Sequence, residues 1–394
     1  MRSAWTRTDK RLKAIVIGAG IGGLTAAVAL RRVGIEVEVY ERASVLRPAG
    51  TGLSMMSNAL SALGSLGIDL ELDRRGRTID TFVLCDHTGR SVRQLSLKEL
   101  GDRLGAPSVS IHRADLQQAL LDALGDEQPV QLGACALGFR SETDGVRVRF
   151  TDGREAWGDV LIGADGFHSA VRHQLVGAEK PREPGYVCWL AVIPFSHPRF
   201  TDGCVRHYWG AGQRFGLIDI GHGRAYWWGT RNMPTAAARA WNGGKDEIAR
   251  AFAGWADEVQ EAIRRTPEQA IISVPAQDRP FLERWGEGRV TLLGDAAHPM
   301  LTSLGQGAGT AVEDAVVLAR SLASAADHTQ ALRDYEARRR VRVREMVRLS
   351  HRLSRIEQDE RRLPRMLRDT YFRWVPTRVL YRQNMSLLAF TPTW

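Results

Sequence analysis

The order of apolar and polar positions near the N-terminus predicts a strand, a helix and a second strand in succession. Residues 13–18 (KAIVIG) form a short apolar run that is typical of a buried strand. Residues 20–33 carry small and apolar side chains at helical spacing, and residues 36–40 (EVEVY) alternate between polar and apolar positions. The pattern therefore indicates a βαβ unit with parallel strands.

Two later segments repeat the pattern of a buried strand that runs into a glycine turn with an aspartate. Residues 160–172 read VLIGADGFHSAVR, and residues 290–299 read VTLLGDAAHP. The second segment is followed by LGQGAGT at 304–310, which opens a predicted helix over 311–322. Open α/β sheets bind ligands at the carboxyl ends of their strands, so these turns are expected to meet at one cleft.

Between these two segments, loosely alternating positions predict four strands of an antiparallel sheet, at 186–193, 205–209, 214–220 and 224–229. Turn sequences at 210–212 (GAG) and 221–223 (GHG) separate the later strands. Residues 186–241 hold 11 of the chain's 29 aromatic side chains. Aromatic walls suit a planar apolar ligand, although an aromatic cluster in a sheet is more often core than pocket.

The C-terminal part is predicted to be a long helix over 329–360 that Pro364 ends. Residues 331–394 contain 16 Arg, no Lys and 7 acidic residues, so the whole net charge of +9 belongs to this segment. A general nucleic-acid binder would carry a basic face on its body as well. The favoured interpretation is a solvated basic face, and the alternative is contact with an acidic partner protein or an anionic membrane surface.

Length and composition indicate an ordinary globular protein. With 394 residues, 44% of them hydrophobic and 25% charged, the chain is long enough for two or three globular domains. It lacks an apolar run of about 18 residues, and residues 1–13 lack the apolar core of a secretory signal, so we expect a cytoplasmic protein. The cysteines are scattered, which predicts reduced thiols and neither a disulfide framework nor a zinc site; they are Cys85, Cys135, Cys188 and Cys204.

The turn after the first strand, GAGIGG at 18–23, has the spacing of a dinucleotide-binding loop. Gly18 permits the tight turn, Gly20 lets the backbone approach a pyrophosphate, and Gly23 permits close packing of helix and strand. Glu41 ends the second strand 18 residues after Gly23, where a carboxylate can accept hydrogen bonds from a ribose. These residues alone leave NAD and FAD open.

Taken in order, the GxGxxG, ADG and GD motifs resemble those of the flavoprotein monooxygenases built like p-hydroxybenzoate hydroxylase. The resemblance covers residues 13–322 and is greatest for the short members, such as salicylate hydroxylase, urate hydroxylase and zeaxanthin epoxidase. It implies an α/β fold with a Rossmann-like FAD-binding domain, an inserted substrate domain on an antiparallel β-sheet, and C-terminal helices. The implied boundaries are 1–72, 106–178 and 281–327 for the FAD domain, 73–105 and 179–280 for the substrate domain, and 328–394 for the basic helical segment.

The resemblance also implies which residues contact FAD. The ADP half would lie on the GxGxxG loop and on Glu41, with Arg42 beside the adenine, and Asp295 would bond the ribityl chain. The ADG turn, with Asp165 and Gly166, would serve both FAD and the pyridine nucleotide. Further positions match a loop at 47–53, a helix start in IHRADLQQAL and the turn against the flavin ring: Gly52, Leu53, Arg113, Gly305, Gly307 and Ala308.

Candidate substrate residues come from the sheet. Arg214 and Tyr226, which lie 12 residues apart across one hairpin, resemble in spacing the substrate-contacting Arg and Tyr of the urate hydroxylase branch. Arg214 would then hold an anionic or carbonyl group, and Tyr226 would orient or deprotonate a hydroxyl. His207 and Tyr208 are weaker candidates.

Two further residues are candidates near the flavin. Gln306 would contact flavin or substrate, or else order its loop. For His298 a place in the flavin-supporting turn is favoured over proton chemistry.

The implied reaction is that of a single-component monooxygenase. NAD(P)H would reduce FAD, O2 would add to give a flavin C4a-hydroperoxide, and one oxygen atom would pass to an electron-rich aromatic substrate. Hydroxylation is favoured by the available Arg, Tyr and His, and epoxidation of an alkene, polyene or terpenoid is the alternative. A flavin dehydrogenase, an oxidase or a flavin carrier would need no NAD(P)H. A disulfide reductase is disfavoured because the sequence has no second dinucleotide fold and no CxxC.

Overall fold

The computed structural model describes residues 11–46, 51–125 and 130–390. Within these ranges the chain forms 18 strands. They are β1 (Lys13–Ile17), β2 (Glu36–Tyr40), β3 (Gly52–Met55), β4 (Arg77–Thr78), β5 (Thr81–Asp86), β6 (Ser91–Ser96), β7 (Val109–His112), β8 (Ala136–Ser141), β9 (Val146–Phe150), β10 (Glu155–Gly158), β11 (Val160–Gly163), β12 (Tyr186–Pro194), β13 (Cys204–Trp209), β14 (Gln213–Asp219), β15 (Arg224–Asn232), β16 (Ile272–Pro275), β17 (Gly286–Glu287) and β18 (Val290–Leu292).

The same ranges contain 13 α-helices, and short 3₁₀ turns lie at Glu268–Ala270, Gly294–Ala296 and Thr302–Leu304. The helices are α1 (Ile21–Arg32), α2 (Ser57–Ser65), α3 (Leu72–Arg75), α4 (Leu97–Leu104), α5 (Arg113–Leu124), α6 (Ala170–Val176), α7 (Thr235–Arg239), α8 (Lys245–Ala251), α9 (Asp257–Arg265), α10 (Gly307–Ala323), α11 (His328–Glu357), α12 (Arg362–Trp374) and α13 (Thr377–Leu388).

A mostly parallel sheet forms one spatial half of the molecule, in the order β17-β18-β11-β1-β2. Strand β1 pairs in parallel with β2 and β11, and β11 pairs in parallel with β18. Both faces are covered, which explains why β1 and β11 are continuous apolar runs. The predicted βαβ unit is confirmed, and the carboxyl ends of β1, β11 and β18 meet at one edge.

A seven-stranded sheet forms the second half, in the order β16-β12-β15-β14-β13-β5-β6. The four strands predicted from the aromatic segment pair in antiparallel fashion, as expected. Strand β5 adds to this sheet in parallel with β13, a pairing that no sequence pattern indicated. The described ranges also contain two small sheets, β3-β7-β4 and β8-β9-β10.

The aromatic residues of the large sheet divide between its two faces because neighbouring side chains in a strand point to opposite sides. Phe215 and Trp227 stack at 5.2 Å between ring centroids and pack with Phe252 in a closed hydrophobic core. Tyr226 and Trp228 lie on the opposite face. Within the described residues the first face is closed by this core, so a ligand would meet the sheet on the second face.

The helical C-terminal segment differs from its predicted limits. Helix α11 ends at Glu357, and Pro364 lies in the first turn of α12. The prediction that Pro364 ends the long helix was therefore wrong. Proline is accepted in the first turn of a helix because the N–H groups there have no intrahelical acceptor.

Helix α11 packs along α10, helix α12 packs against β6, and helix α13 packs against α4. In the described ranges, no helix combines the length and the apolar character needed to cross a bilayer. All four cysteines carry free thiols, as predicted, and three of them are buried.

Candidate active site

Three glycines at the end of β1 have different surroundings. Gly18 has a φ of +105°, and a Cβ there would lie 2.4 Å from the carbonyl oxygen of Ala164 in the ADG turn. A Cβ on Gly23 would lie 1.9 Å from the carbonyl oxygen of Gly18. A Cβ on Gly20 would meet no heavy atom of the described chain within 4 Å. Gly18 and Gly23 are therefore required by protein packing, whereas Gly20 leaves space for a ligand.

The space beside Gly20 opens on the N-terminus of α1. Gly20 is the N-cap of that helix and supplies no side-chain hydrogen bond. The first N–H groups of a helix lack intrahelical partners and carry a partial positive charge, so they attract phosphate. This arrangement fits the pyrophosphate of a dinucleotide.

Glu41 is held beside this loop. Its carboxylate accepts hydrogen bonds from the N–H of Ala19 at 2.8 Å and of Ala43 at 2.9 Å. A carboxylate has about four lone-pair sites, so acceptor capacity remains for a ribose. Arg42 is exposed next to it. The predicted ADP-binding residues that lie in the described ranges are thus brought together.

The ADG turn shapes the cleft through backbone contacts. Asp165 accepts hydrogen bonds from the Ser169 hydroxyl at 2.5 Å and from the Ala170 N–H at 2.7 Å, so it caps the start of α6. Burial raises the pKa of this carboxyl group. Much of its acceptor capacity is already used within the turn. Gly166, with a φ of +77°, reverses the chain at this point.

Arg172 joins the ADG helix to the GD turn. Its side chain is buried, and it donates to the carbonyl oxygens of Ala296 at 3.0 Å and Ala297 at 2.9 Å. The same guanidinium pairs with Glu179 at 2.5 Å. Two motifs that are distant in sequence are therefore fixed relative to one another.

Asp295 is the carboxylate best placed for a cofactor. Its side chain is exposed to solvent, yet the protein packed around it raises its pKa by desolvation, so we infer that it lines a recess that solvent can enter. Within the described ranges it forms no hydrogen bond or ion pair. The charges of His298 and Arg113 act on it in the opposite sense to burial. A carboxylate without a protein partner in such a recess suits a ligand that is rich in hydroxyl groups.

The loop that opens α10 faces Asp295, since a Cβ on Gly307 would lie 4.0 Å from its Oδ1. Gln306 is the N-cap of this 17-residue helix but does not cap it with its side chain. The free N–H groups there stabilise negative charge. The Gln306 side chain is buried and accepts a hydrogen bond from Asn58 at 3.0 Å, which is the loop-ordering role considered above. Gly305 precedes Gln306 in this loop, and Ala308 lies in the first turn of α10.

A buried charge network beneath this loop was missed by the sequence analysis. His298 contacts Asp314 at 2.5 Å, and Asp314 also accepts from the Gly294 N–H at 3.2 Å and from Arg339 at 2.7 Å. His298 is thus turned into the interior and supports the turn, in line with the favoured interpretation. Burial opposes ionisation of Asp314, but the neighbouring charges hold its pKa below the usual value.

Glu313 extends the same network. It pairs with Arg339 and Arg342 at 2.7 Å each, and it accepts a hydrogen bond from Asn58 at 2.5 Å. The available signal was a Glu-Asp pair within an otherwise apolar helix, AVEDAVVLA, opposite arginines three residues apart. Two adjacent carboxylates on an apolar helix require buried cations.

Arg214 lies in the large sheet, where its charge is already matched. Its side chain is buried and forms an ion pair with Glu357, the last residue of α11. A longer contact of 3.5 Å joins it to the Thr302 hydroxyl. Burial raises the pKa of Glu357, against the lowering effect of Arg214. The predicted substrate anchor therefore has an internal carboxylate as its partner.

Two other predicted residues share the open face of the sheet. The His207 ring lies 4.7 Å from Trp228 and 4.8 Å from Phe82, between ring centroids. Burial, together with the charge of Arg214, lowers the pKa of His207 to about 3, so its imidazole is neutral at pH 7. Burial raises the pKa of Tyr226, so its phenol stays protonated.

Tyr208 is not part of this group. Its hydroxyl donates to Glu258 at 2.8 Å within the opposite core.

The two halves of the molecule meet at Gly52. A Cβ there would lie 2.5 Å from the Cβ of Tyr226, so only glycine allows β3 to approach the large sheet. Leu53, the next residue, packs against the core of the parallel sheet. The rest of the predicted cofactor loop, residues 47–50, lies outside the described residues. Arg113, at the start of α5, donates its N–H to the Thr51 carbonyl at 2.9 Å.

Comparison with known proteins identifies the family. A model of the FAD binding domain matches residues 11–350. Aurachin C monooxygenase/isomerase of Stigmatella aurantiaca is 39% identical over 391 residues, which cover 97% of this chain and 99% of that protein. The chain belongs to the FAD-dependent monooxygenase family.

Further comparisons agree with this membership. FAD-dependent urate hydroxylase of Klebsiella pneumoniae subsp. pneumoniae is 37% identical to this monooxygenase over 85% of its chain and 88% of the relative. The crystal structure of Klebsiella pneumoniae HpxO complexed with FAD and uric acid aligns with a TM-score of 0.90, 32% identity and 97% coverage of both chains. The monooxygenase therefore uses FAD, with NAD(P)H as the electron donor typical of the family, and the predicted fold class is confirmed.

A matched pair of glycine variants tests the pyrophosphate cradle. Gly20→Ala is expected to leave the melting temperature of the FAD-free protein unchanged while weakening FAD binding at least about tenfold, because its methyl group enters ligand space. Gly23→Ala is expected to lower that melting temperature sharply, since its Cβ collides with backbone. Fluorescence titration with FAD and thermal denaturation measure the two effects. Full FAD affinity in Gly20→Ala would contradict the assignment.

A second variant tests the unpaired carboxylate. Asp295→Asn is expected to weaken FAD binding about tenfold or more, as a hydrogen bond to a charged group contributes about 1.5–3 kcal/mol. A raised pKa makes the ionised form unfavourable in the folded state, so wild-type FAD-free protein loses stability as pH rises through that pKa. The variant should therefore gain stability over wild type as the pH rises above about 4, the ordinary pKa of an aspartate. Asp246→Asn, on the surface, is the control, and a variant that behaves like it would exclude Asp295 from the site.

Proposed function

We propose that this monooxygenase hydroxylates a neutral, planar, electron-rich ring. The observation that carries the proposal is the pairing of Arg214 with Glu357, which leaves no unmatched cation at the position expected to hold an anionic substrate. The remaining groups on that sheet face are a neutral imidazole, a protonated phenol and aromatic rings. Such a face favours uncharged planar molecules.

We propose that FAD lies along the sheet edge described above. The pyrophosphate would contact the N-terminus of α1 at Gly20, Glu41 would hold the ribose, and Asp295 would accept hydrogen bonds from the ribityl hydroxyls. When bound and reduced by NAD(P)H, FAD would activate O2, of which one oxygen atom passes to the substrate and the other leaves as water. The proposed cofactor contacts also include Gly18, Gly23, Arg42, Gly52, Leu53, Arg113, Asp165, Gly305, Gly307 and Ala308.

Residues of the sheet would position the substrate and keep water away from it. The Tyr226 phenol, whose pKa is raised by burial, would donate a hydrogen bond to a ring carbonyl or hydroxyl and would not act as a base. His207, neutral because its pKa is lowered to about 3, would accept a hydrogen bond from a ring N–H or O–H. Trp228 and Phe82 would form the apolar walls. Of the two roles predicted for Tyr226, orientation is therefore favoured.

The names of two relatives bear on the substrate of this enzyme. One relative bears the name aurachin C monooxygenase/isomerase, and another the name urate hydroxylase. Epoxidation of an alkene remains the second candidate, since a site without an ionised base suits it equally well.

A substrate panel separates these reactions. Oxidation of NADH and NADPH in air is followed with neutral phenols, quinolones, aromatic carboxylates and polyenes, and products formed under ¹⁸O2 are analysed by mass spectrometry. The proposal predicts that neutral rings stimulate NAD(P)H oxidation and gain one labelled hydroxyl oxygen. Labelled epoxides from polyenes would favour the second candidate. Stimulation by aromatic carboxylates alone would contradict the proposed substrate class.

The charge partner of Arg214 gives a sharper prediction. Glu357→Gln removes the internal carboxylate and leaves a buried cation, so it should improve binding of an aromatic carboxylate relative to the matching neutral amide. We expect the ratio of kcat/KM for acid over amide to rise at least about tenfold, or about 1.4 kcal/mol. Steady-state kinetics on the FAD-loaded enzyme measure this ratio.

Glu345→Gln serves as the control, because Glu345 is an exposed residue of the same helix that pairs with Arg348. It should leave the ratio unchanged. An unchanged ratio in Glu357→Gln, with FAD content intact, would remove Arg214 and Glu357 from the determinants of specificity. Domain limits and a cytoplasmic location stay predictions.

A further inference from the structure

Helix α12 carries an exposed apolar face, which we call the α12 stripe. Large apolar side chains recur every three or four residues and therefore lie on one side of the helix. Their exposed fractions are high for such residues: Leu363 (65%), Met366 (55%), Leu367 (63%), Tyr371 (47%) and Trp374 (76%). Scattered single apolar residues are normal on a surface, but a continuous helical face marks an interaction site.

The opposite face of α12 packs against the large sheet, so the stripe points away from the sheet. Phe372 packs edge-on against Trp209 at 5.1 Å between ring centroids, and the guanidinium of Arg368 lies 5.0 Å over the same indole ring. Arg93, on β6, donates to the carbonyl oxygens of Phe372 at 2.8 Å and Arg373 at 3.1 Å. The helix is thus anchored to the large sheet by one face and presents the other to solvent.

Arginines surround the stripe. Arg362, Arg373 and Arg378 are exposed, and none of them forms an ion pair within the described residues. Arg382 is exposed on α13 as well. Further exposed arginines that form no ion pair within the described residues lie on α11, at Arg338, Arg352 and Arg355. The apolar face of α12 therefore lies among unpaired positive charges, which extend from it onto α11 and α13.

We propose that the α12 stripe docks on an anionic lipid surface. Apolar and aromatic side chains on one face with flanking arginines are the pattern of helices that lie in the membrane interface. Tyr and Trp favour the headgroup region, and arginines extend toward lipid phosphates. A second copy is disfavoured as the occupant, because a two-fold symmetric contact through this face would bring its arginines against their counterparts.

Lipid binding is tested with the full chain loaded with FAD. Sedimentation with vesicles of phosphatidylcholine alone is compared with vesicles containing about 30% phosphatidylglycerol, at about 0.15 M salt. We expect partitioning onto the anionic vesicles to exceed that onto neutral vesicles at least about tenfold. Leu367→Glu should lower it at least about tenfold, since a charge enters the apolar face.

Val341→Glu is the matched control. Val341 is 79% exposed on α11, so the substitution makes the same change of charge in the same segment but outside the stripe. It should bind the anionic vesicles at least half as well as wild type, and both variants should keep the wild-type melting temperature and FAD content. Brominated lipids should also quench the fluorescence of wild-type protein more than that of Trp374→Phe.

Three outcomes would overturn the proposal. They are failure of wild type to sediment with anionic vesicles, equal loss of binding in both glutamate variants, and a wild-type dimer that Leu367→Glu dissociates without any vesicle binding. The last outcome would assign the stripe to a second copy. Because each readout is independent of turnover, it remains valid whatever the substrate is.

Discussion

Buried ion pairs between α10 and α11 are the constraint on which the candidate site depends. Glu313 and Asp314 are adjacent on an apolar helix, and Arg339 contacts both of them. Removing charges from water costs several kcal/mol per ion, so such a cluster persists only with good geometry and further hydrogen bonds. Here these bonds come from the backbone of the GD turn at Gly294 and from Asn58, which also holds Gln306. The same buried charges therefore position both the GD turn and the Gln306 loop, which lie on either side of Asp295.

The same network connects the helical C-terminal segment to the cleft. Helix α11 begins with contacts to β18, pairs with α10 at its middle, and ends with Glu357 against Arg214 in the large sheet. Helix α13 then packs Tyr381 and Met385 into the cluster that contains Tyr226. The composition of this basic segment suggested only a solvated face. In the structure it also contributes side chains to the substrate side of the site.

Local patterns explain how much of the structure could be predicted. The βαβ unit, the four antiparallel strands and the glycine turns follow from residues close together in the chain. Gly23 is glycine because of a contact with Gly18 in the same loop, whereas Gly18 is glycine because it meets Ala164 of the distant ADG turn. The pairing of Arg214 with Glu357 joins residues 143 positions apart, and no local pattern indicates it. The parallel contact of β5 with β13 is equally nonlocal. Pro364 was misinterpreted because a proline that ends one helix and a proline in the first turn of the next look alike in sequence.

The most direct test of this account is the FAD dissociation constant of Arg339→Met, compared with that of Arg338→Met on the exposed side of the same helix. Loss of the buried arginine removes the one cation that both carboxylates share and leaves Glu313 with Arg342 alone, which should lower the free energy of unfolding by about 3–5 kcal/mol. If the ion pairs organise the cleft, FAD binding to the folded Arg339→Met protein should also weaken at least about tenfold, while Arg338→Met matches wild type. Wild-type FAD affinity in a destabilised Arg339→Met protein would contradict the account.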